Sequence, residues 1–139
     1  MKKLKLYEDF ILSIQITTEG NGEPDYAKEG AETAWELEDG TKVTLKDIVN
    51  FLDENNIPVI DIGVDELKHL LIDVERDPKR VEAADLSYPV IVSKYKGDFK
   101  AILDGQHRLV KSVKNGLDTI KCRILHLDNC PEEFKKIFI

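Results

Sequence analysis

Residues 101 to 116 read Ala-Ile-Leu-Asp-Gly-Gln-His-Arg-Leu-Val-Lys-Ser-Val-Lys-Asn-Gly. An apolar run, typical of a buried strand, ends at a glycine, and the spacing of apolar residues after that glycine is helical. Gly116 follows the helical stretch at the position that favours a left-handed helix cap. This stretch therefore predicts a strand, a turn at Gly105 and a helix in immediate succession.

The start of this helix is suited to binding an anion. The first backbone N–H groups of a helix lack intrahelical partners and carry a partial positive charge. Gly105 allows the backbone to approach a ligand, while His107, Arg108 and Lys111 place donors in the first turns. Asp104 closes the strand side of the turn, where it could hold a hydroxyl group, a metal ion or Arg108.

The rest of the chain alternates strand and helix patterns. Hydrophobic periodicity predicts strands at residues 57–62, 89–95, 99–103 and 119–125, and helices at 64–74, from 77–78, at 108–115 and from 131. The fold class we predict is α+β, a small mixed sheet flanked by helices.

The first 56 residues predict an extension of this core. Phe10 to Thr17 alternates with period two, which is typical of a strand with one buried face. Asp39-Gly40 indicates a tight hairpin, and Thr44 with Asp47 forms a capping-box pattern before an apolar helix face. We therefore expect one domain over 1–139, with an extension at 1–56, a core at 57–127 and a terminal helix at 128–139.

Composition fits a small protein of the cytoplasm. The chain has 139 residues, of which 42% are hydrophobic and 34% charged, enough for one core. Its net charge of −7 disfavours nonspecific DNA binding, and no segment approaches the length of a membrane span. Cys122 and Cys130 form no CxxC pair, which favours reduced thiols and a cytoplasmic location.

The segment Asp104-Gly105-Gln106-His107-Arg108-Leu109, with the strand pair before it, resembles the ParB/sulfiredoxin superfamily. Members of that superfamily place a Gly-x-x-Arg or Gly-x-His-Arg loop between a strand and a helix. The resemblance covers roughly residues 57–127. It implies that the loop binds the phosphates of a nucleotide: CTP in the partition proteins, ATP in sulfiredoxin and ADP in a related free-serine kinase.

Carried over by position, the resemblance implies a nucleotide partner, ATP, CTP or ADP, with or without Mg²⁺. The residues expected to bind this cofactor are Asp104, Gly105, Gln106, His107, Arg108 and Lys111. No resident metal site is predicted. Stand-alone domains of this type are common among phage products, so the resemblance also suggests a phage protein acting in the host cytoplasm.

Two departures from the superfamily narrow the function. Sulfiredoxins carry a catalytic cysteine where this chain has Gln106, which cannot form a thiolate, so sulfinic acid repair is not expected. Partition proteins carry an Arg-Arg loop and then a helix-turn-helix domain and a dimerisation domain, which are not found after Gly116 here. DNA clamping is therefore not expected either.

Each candidate residue also has a purely structural interpretation. Asp104 would cap the helix or pair with Arg108, His107 would be a structural imidazole, and Lys111 would be solvated. The resemblance favours ligand contact for Asp104 and His107, and an exposed Arg108 guanidinium is expected to grip phosphate. Trp35 is expected in the core, and His69 and His126 have no partners at metal-ligand spacing.

The acidic residues upstream of the loop are candidates for a general base. The run from Asp73 to Asp85 is acidic, as many solvated surfaces are. The related kinase takes its base from a comparable region. Glu75 and Asp85 are therefore the carboxylates proposed for catalysis, together with His107 in the loop.

Two functions of different classes follow. In the first, the loop positions a nucleotide for hydrolysis or transfer of a phosphoryl group, with a carboxylate as base. In the second, the same pocket senses a nucleotide or another anion without catalysis, and the acidic N-terminal part contacts a protein partner. A ParB-like nuclease is a weaker third alternative, because the sequence has no compact metal-ligand motif.

Overall fold

The computed structural model describes residues 33–71 and 78–139. In chain order the elements are β1 (Ala34–Glu36), β2 (Lys42–Thr44), α1 (Leu45–Glu54), β3 (Ile60–Gly63), α2 (Val64–Leu67), α3 (Pro78–Ala83), β4 (Val90–Tyr95), β5 (Asp98–Asp104), α4 (Gln106–Lys114), β6 (Thr119–His126) and α5 (Glu132–Phe138). Short 3₁₀ helices follow α2, at Lys68–Leu70, and β6, at Leu127–Asn129. The predicted α+β class is confirmed.

The main sheet is mixed and has four strands in the order β3-β6-β4-β5. β4 pairs antiparallel with β5 and parallel with β6, and β3 pairs antiparallel with β6. The register sets Ile91 of β4 opposite Asp104 of β5. The end of β5, where the candidate turn begins, therefore lies beside the start of β4.

Apolar side chains cover both faces of this sheet. In β4, Val90 and Val92 belong to one buried cluster and Ile91 to the other, as the period-two geometry of a strand requires. The cluster around Val90 includes residues of α2 and α4: Val64, Leu67 and Leu109. The cluster around Ile91 includes residues of the β1–β2 hairpin, α1 and α5: Trp35, Val43, Leu45, Ile48, Leu52, Phe134 and Ile137. The sheet thus lies between two layers.

The predicted start of α1 is confirmed in detail. The Thr44 side chain accepts a hydrogen bond from the Asp47 amide at 3.0 Å, and the Asp47 carboxylate accepts one from the Thr44 amide at 2.9 Å. Val43 and Ile48, on either side of this capping box, are both buried in the same cluster. Local sequence therefore fixes where this helix begins.

Two predicted elements are shorter than expected. The strand predicted from residue 57 begins at Ile60. Arg123 donates two hydrogen bonds to the Ile57 carbonyl, at 3.1 and 2.8 Å, so this carbonyl does not pair with a strand. Pro58 has no N–H group to donate to a neighbouring strand. The helix predicted over 64–74 is α-helical only to Leu67. The predicted strand at 10–17 and the end of the helix predicted at 64–74 lie outside the described residues.

The hairpin and α5 pack together on one face of the sheet. Trp35 makes an edge-to-face contact with Phe138, with ring centroids 5.2 Å apart, so its predicted place in the core is confirmed. Lys136 donates to the Asp39 carboxylate at 2.9 Å, and this bond is the main reason that the pKa of Asp39 is lowered. The described parts of the extension and the terminal helix therefore share one core with the central sheet.

Candidate functional site

The candidate site is the turn between β5 and α4, residues 104–108, called the Gly105 turn from here on. Gly105 is the N-cap of α4 and has φ +99° and ψ +25°, a left-handed conformation that favours glycine. A Cβ placed there would lie 3.1 Å from the Arg108 guanidinium and 3.1 Å from Cγ2 of Val90. Both the backbone conformation and the close packing therefore favour glycine.

The N-cap residue of α4 is Gly105, which has no side chain and so forms no cap hydrogen bond of its own. The helix continues for nine residues, long enough for its backbone dipoles to add at the first turn. The Gly105 turn therefore presents a partial positive charge to any anion that approaches it.

The Arg108 side chain is buried, contrary to the exposed guanidinium predicted from the sequence. Only 4% of the residue surface is accessible. Nη2 donates to the Asp104 carboxylate at 2.9 Å, and Nη1 donates to the Pro89 carbonyl at 2.6 Å. The structural alternative, a pair of Arg108 with Asp104, is what forms, because Asp104 lies four residues earlier and Pro89, the residue before β4, supplies a carbonyl as well.

Arg108 of α4 therefore binds both the end of β5 and the residue before β4. Its ion pair with Asp104 is almost solvent-free, with side-chain exposures of 5% and 9%. Its own carbonyl accepts a hydrogen bond from Ser112 Oγ at 3.0 Å. A buried pair of this kind is costly to break, because the remaining charge would have no partner. The pair holds the end of β5 against the start of α4.

Gln106 and His107 occupy the first two positions of α4. Gln106 is buried, with 8% of its surface accessible, and His107 is half-buried. Both lie within the Gly105 turn, where the sequence predicts ligand contact. Their ligand-binding roles stay predictions.

The Lys111 side chain reaches across to the segment before β4. Its Nζ donates to the Glu82 carbonyl at 2.7 Å and to the Ala84 carbonyl at 2.8 Å. It is half-buried, so the solvated alternative does not describe it. Lys111 therefore links α4 to the end of α3 through two main-chain contacts.

Asp85 lies next to this contact. Its exposed carboxylate accepts hydrogen bonds from the Ser87 amide at 2.9 Å and the Ser87 hydroxyl at 2.6 Å. These bonds lower the pKa of Asp85, and the charges of Lys111 and Arg108 lower it further. Asp85 is therefore a carboxylate anion at neutral pH, within electrostatic reach of the helix that begins at Gly105. Glu75 lies outside the described residues.

Sequence reasoning missed two residues that shape the site. Pro89 supplies the carbonyl that holds Arg108, and no side-chain pattern identifies a main-chain acceptor. Ser87 holds Asp85, and here a signal existed: an acidic residue two positions before a serine is typical of an Asx turn. The tethering of residues 82–89 to α4 is visible only in three dimensions.

Neither of the two cysteines is suited to act as a nucleophile. Cys122 is buried on the face of β6 that also carries Ile120 and Ile124, and burial raises its pKa to about 12. Burial likewise raises the pKa of Cys130 to about 11. Neither thiol forms a thiolate at neutral pH, which is the form that acts as a nucleophile.

Two surface grooves lie elsewhere in the described residues. One, of about 560 Å³, is lined by Asp65, Glu66, His69, Lys94, Gly97, Asp98, Phe99 and Lys100. The other, of about 370 Å³, is lined by Lys42, Val43, Asp47, Asn50, Phe51, Glu54, Glu133 and Phe134. Within residues 33–71 and 78–139, no three histidine, cysteine or acidic side chains come together as a metal site, and none of the helices has the length and apolar character needed to cross a membrane.

Comparison with known proteins finds no matching family model, no matching curated protein and no matching solved structure. The resemblance to the ParB/sulfiredoxin superfamily therefore stays a prediction based on the Asp104–Leu109 segment and the strands before it. The function has to be argued from the geometry of the Gly105 turn.

Proposed function

We propose that this chain is a nucleotide-binding protein and that the phosphates of the nucleotide bind at the Gly105 turn. The observation that carries the proposal is the left-handed Gly105 at the N-cap of a nine-residue helix, packed so closely that a Cβ would contact Arg108 and Val90. A turn of this form lets the backbone approach an anion, and the helix dipole favours negative charge there.

In this proposal the backbone of residues 105–108 grips the phosphate, and the side chains support it. Arg108 is engaged with Asp104 and Pro89, so it shapes the turn from beneath. His107 is half-buried at the second position of α4 and is the side chain proposed to reach the ligand from the turn. The grip therefore relies on main-chain N–H groups, as phosphate sites at helix starts commonly do.

The expected nucleotides are ATP, CTP and ADP, which the sequence resemblance suggests. Their phosphates carry several negative charges, while two cationic side chains of α4, those of Arg108 and Lys111, already bind groups of the protein. The described residues bring together no three metal ligands. Mg²⁺ therefore enters the proposal only as a counter-ion that accompanies the nucleotide.

The proposed reaction is hydrolysis or transfer of a phosphoryl group. Asp85 is ionised at neutral pH and follows Ala84, which Lys111 of α4 contacts, so it is the described carboxylate proposed to accept a proton from water or from an acceptor hydroxyl. Phosphoryl transfer depends mainly on positioning and charge stabilisation, and a base orients the nucleophile. Glu75 stays the second carboxylate proposed for this role.

A second function, nucleotide sensing without catalysis, is favoured by one observation. Arg108 and Lys111 both donate to groups of the protein, so they contribute less to neutralising charge that develops during phosphoryl transfer. In this case the bound nucleotide would govern contact with a protein partner. The buried free cysteines fit a cytoplasmic protein under either function.

Thermal unfolding with a panel of nucleotides tests the proposal. ATP, ADP, CTP and GTP are each added with Mg²⁺ or with EDTA, and at least one is expected to raise the melting temperature, because a ligand that binds only the folded state stabilises it. Phosphate release from the stabilising nucleotide then separates the enzyme from the sensor. A melting temperature unchanged by the whole panel would contradict nucleotide binding.

A further inference from the structure

Two cationic side chains of α4 hold the segment that leads into β4. Arg108 donates to the Pro89 carbonyl at 2.6 Å, at the end of this segment. Lys111 donates to the Glu82 and Ala84 carbonyls, at 2.7 and 2.8 Å, at its beginning. The segment from 82 to 89 is therefore tied to one helix at both ends, and Asp85 lies between the two ties.

The contact made by Lys111 is at the end of a helix. Glu82 belongs to α3, Pro78–Ala83, and Ala84 follows it directly. The last carbonyls of a helix lack intrahelical partners and carry a partial negative charge, so a cation that donates to them is stabilised. An ammonium group with three donors can bind two carbonyls at once. Lys111 thus fixes the backbone at the residue before Asp85.

The Asp85 side chain is fixed separately. Its carboxylate accepts from both the amide and the hydroxyl of Ser87. This bonding orients the carboxylate relative to its own backbone but does not determine where that backbone lies. Lys111, through Ala84, supplies the missing restraint, since it connects the backbone next to Asp85 to the helix that begins at the Gly105 turn.

We propose that Lys111 is a positioning residue, which holds the backbone beside Asp85 against the helix that begins at the Gly105 turn, instead of binding the phosphates itself. The inference rests on the proposed function for the statement that an anion binds there. A carboxylate beside an anion site repels a bare phosphate. Asp85 therefore favours a ligand that brings a proton donor, such as an acceptor hydroxyl or a water, between the carboxylate and the phosphate.

Three variants test this role. Lys111→Met keeps most of the side-chain length and removes the ammonium, Lys111→Arg restores a cation that can donate to two carbonyls, and Lys114→Met is the control on an exposed residue of the same helix. NMR of the full chain follows the amide signals of Asp85 and Ser87 and the titration of the Asp85 carboxyl group. Among described residues, the charged groups that act on this carboxyl are Lys111 and Arg108.

In Lys111→Met we expect the Asp85 and Ser87 amide signals to move and the pKa of Asp85 to rise. We expect Lys111→Arg to restore most of both, and Lys114→Met to change neither. Phosphate release from Mg·ATP or Mg·CTP should fall about 10- to 100-fold in Lys111→Met, because a small displacement of a catalytic group costs about that much. Stabilisation by the same nucleotide should change less than about twofold in affinity, a factor worth well under 1.4 kcal/mol.

The two proposals fail in different ways. If the NMR signals and the titration of Asp85 are the same in Lys111→Met as in the parent, Lys111 does not position Asp85, whatever the nucleotide does. If nucleotide stabilisation is lost in Lys111→Met but kept in Lys111→Arg, with Asp85 unmoved, Lys111 binds the phosphates directly and the inference is wrong. If the parent binds no nucleotide, the proposed function fails, and the NMR measurement still decides the positioning role.

Discussion

At the scale of single residues, the Gly105 turn combines a position that disfavours any side chain with a buried guanidinium packed against it. The 3.1 Å separation between a Cβ at position 105 and Arg108 means that the turn and the ion pair share one packed volume. Changing either residue should therefore disturb the other. Two predictions follow from this packing, one for the backbone and one for the charge pair.

Gly105→Val is expected to destabilise the fold and to abolish nucleotide-dependent stabilisation. A side chain in the left-handed region costs about 1–3 kcal/mol, and the contacts with Arg108 and Val90 add to that cost. Gly40→Val is the matched control, because Gly40 has φ +93° and no atom within 4 Å of the added Cβ. Urea denaturation measures both. Equal losses of unfolding free energy in the two variants would mean that the packing beneath Gly105 is unimportant.

Arg108→Met is expected to lower the free energy of unfolding by about 3–5 kcal/mol, because it leaves the Asp104 carboxylate buried without its cation. Lys68→Met is the control. Its pair with Asp65 has exposures of 55% and 89%, and an exposed pair is worth about 1 kcal/mol or less.

Replacing both members of the buried pair, in Asp104→Leu with Arg108→Met, should cost less than the sum of the single changes, since no charge is then left alone. A chemical denaturation series over the four chains gives the coupling between the two residues. A loss in Arg108→Met as small as that in Lys68→Met would contradict the structural role assigned to Arg108.

At the scale of elements, α1 is the one whose boundaries follow most directly from local sequence. The capping box between Thr44 and Asp47 closes in both directions, and buried apolar residues follow it at helical spacing. Neither bond depends on distant parts of the chain. The stability that this cap contributes should therefore be separable from the candidate site.

Thr44→Ala is expected to reduce the free energy of unfolding by about 1 kcal/mol, the usual worth of a helix N-cap. Nucleotide stabilisation should be unaffected, because Thr44 caps α1 and lies outside the Gly105 turn. Thr44→Ser keeps the accepting oxygen and should restore most of the loss. The urea midpoints of the parent, Thr44→Ala and Thr44→Ser measure these changes. A Thr44→Ser chain as unstable as Thr44→Ala would show that the Thr44 hydroxyl does not stabilise the helix.

The same contrast explains which elements the sequence could predict. α1, the hairpin of β4 and β5, and the helix after Gly105 depend on neighbours in sequence, and all three were predicted to within two residues. β3 begins three residues later than predicted, because Arg123, distant in sequence, binds the Ile57 carbonyl. The same limit applies at the candidate site: the pair of Arg108 with Asp104 was one of the alternatives seen in the sequence, but Arg108 and Lys111 also donate to main-chain carbonyls 19 to 29 residues away.

At the scale of the whole molecule, a mixed sheet is covered on both faces by apolar clusters. The Gly105 turn lies at the end of β5, an edge strand of this sheet. The chain carries a net charge of −7. Lys111, Arg108, Arg123 and Lys136 all donate to groups of the protein. These four cationic side chains therefore already have hydrogen-bond partners within the protein.

DNA binding is accordingly expected to be weak and to disappear at physiological salt. Affinity for DNA depends on cations that neutralise successive phosphates, and sequence selectivity requires contacts to base edges. Fluorescence anisotropy with duplex DNA at about 150 mM salt, where charges are screened beyond about 8 Å, measures it. Sub-micromolar, sequence-selective binding under those conditions would contradict the expectation of weak DNA binding and favour a partition-like function.

The central claim, that phosphates bind at the Gly105 turn, is tested most directly by mapping where a nucleotide binds. A ¹⁵N-labelled chain is titrated with Mg·ATP and with Mg·CTP while its backbone amide signals are followed by NMR. The account predicts saturable shifts that are largest at residues 105–108, and their loss in Gly105→Val with the signals of α1 unchanged. Shifts centred on the groove of residues 65–69 and 97–100, or no shifts with either nucleotide, would contradict it.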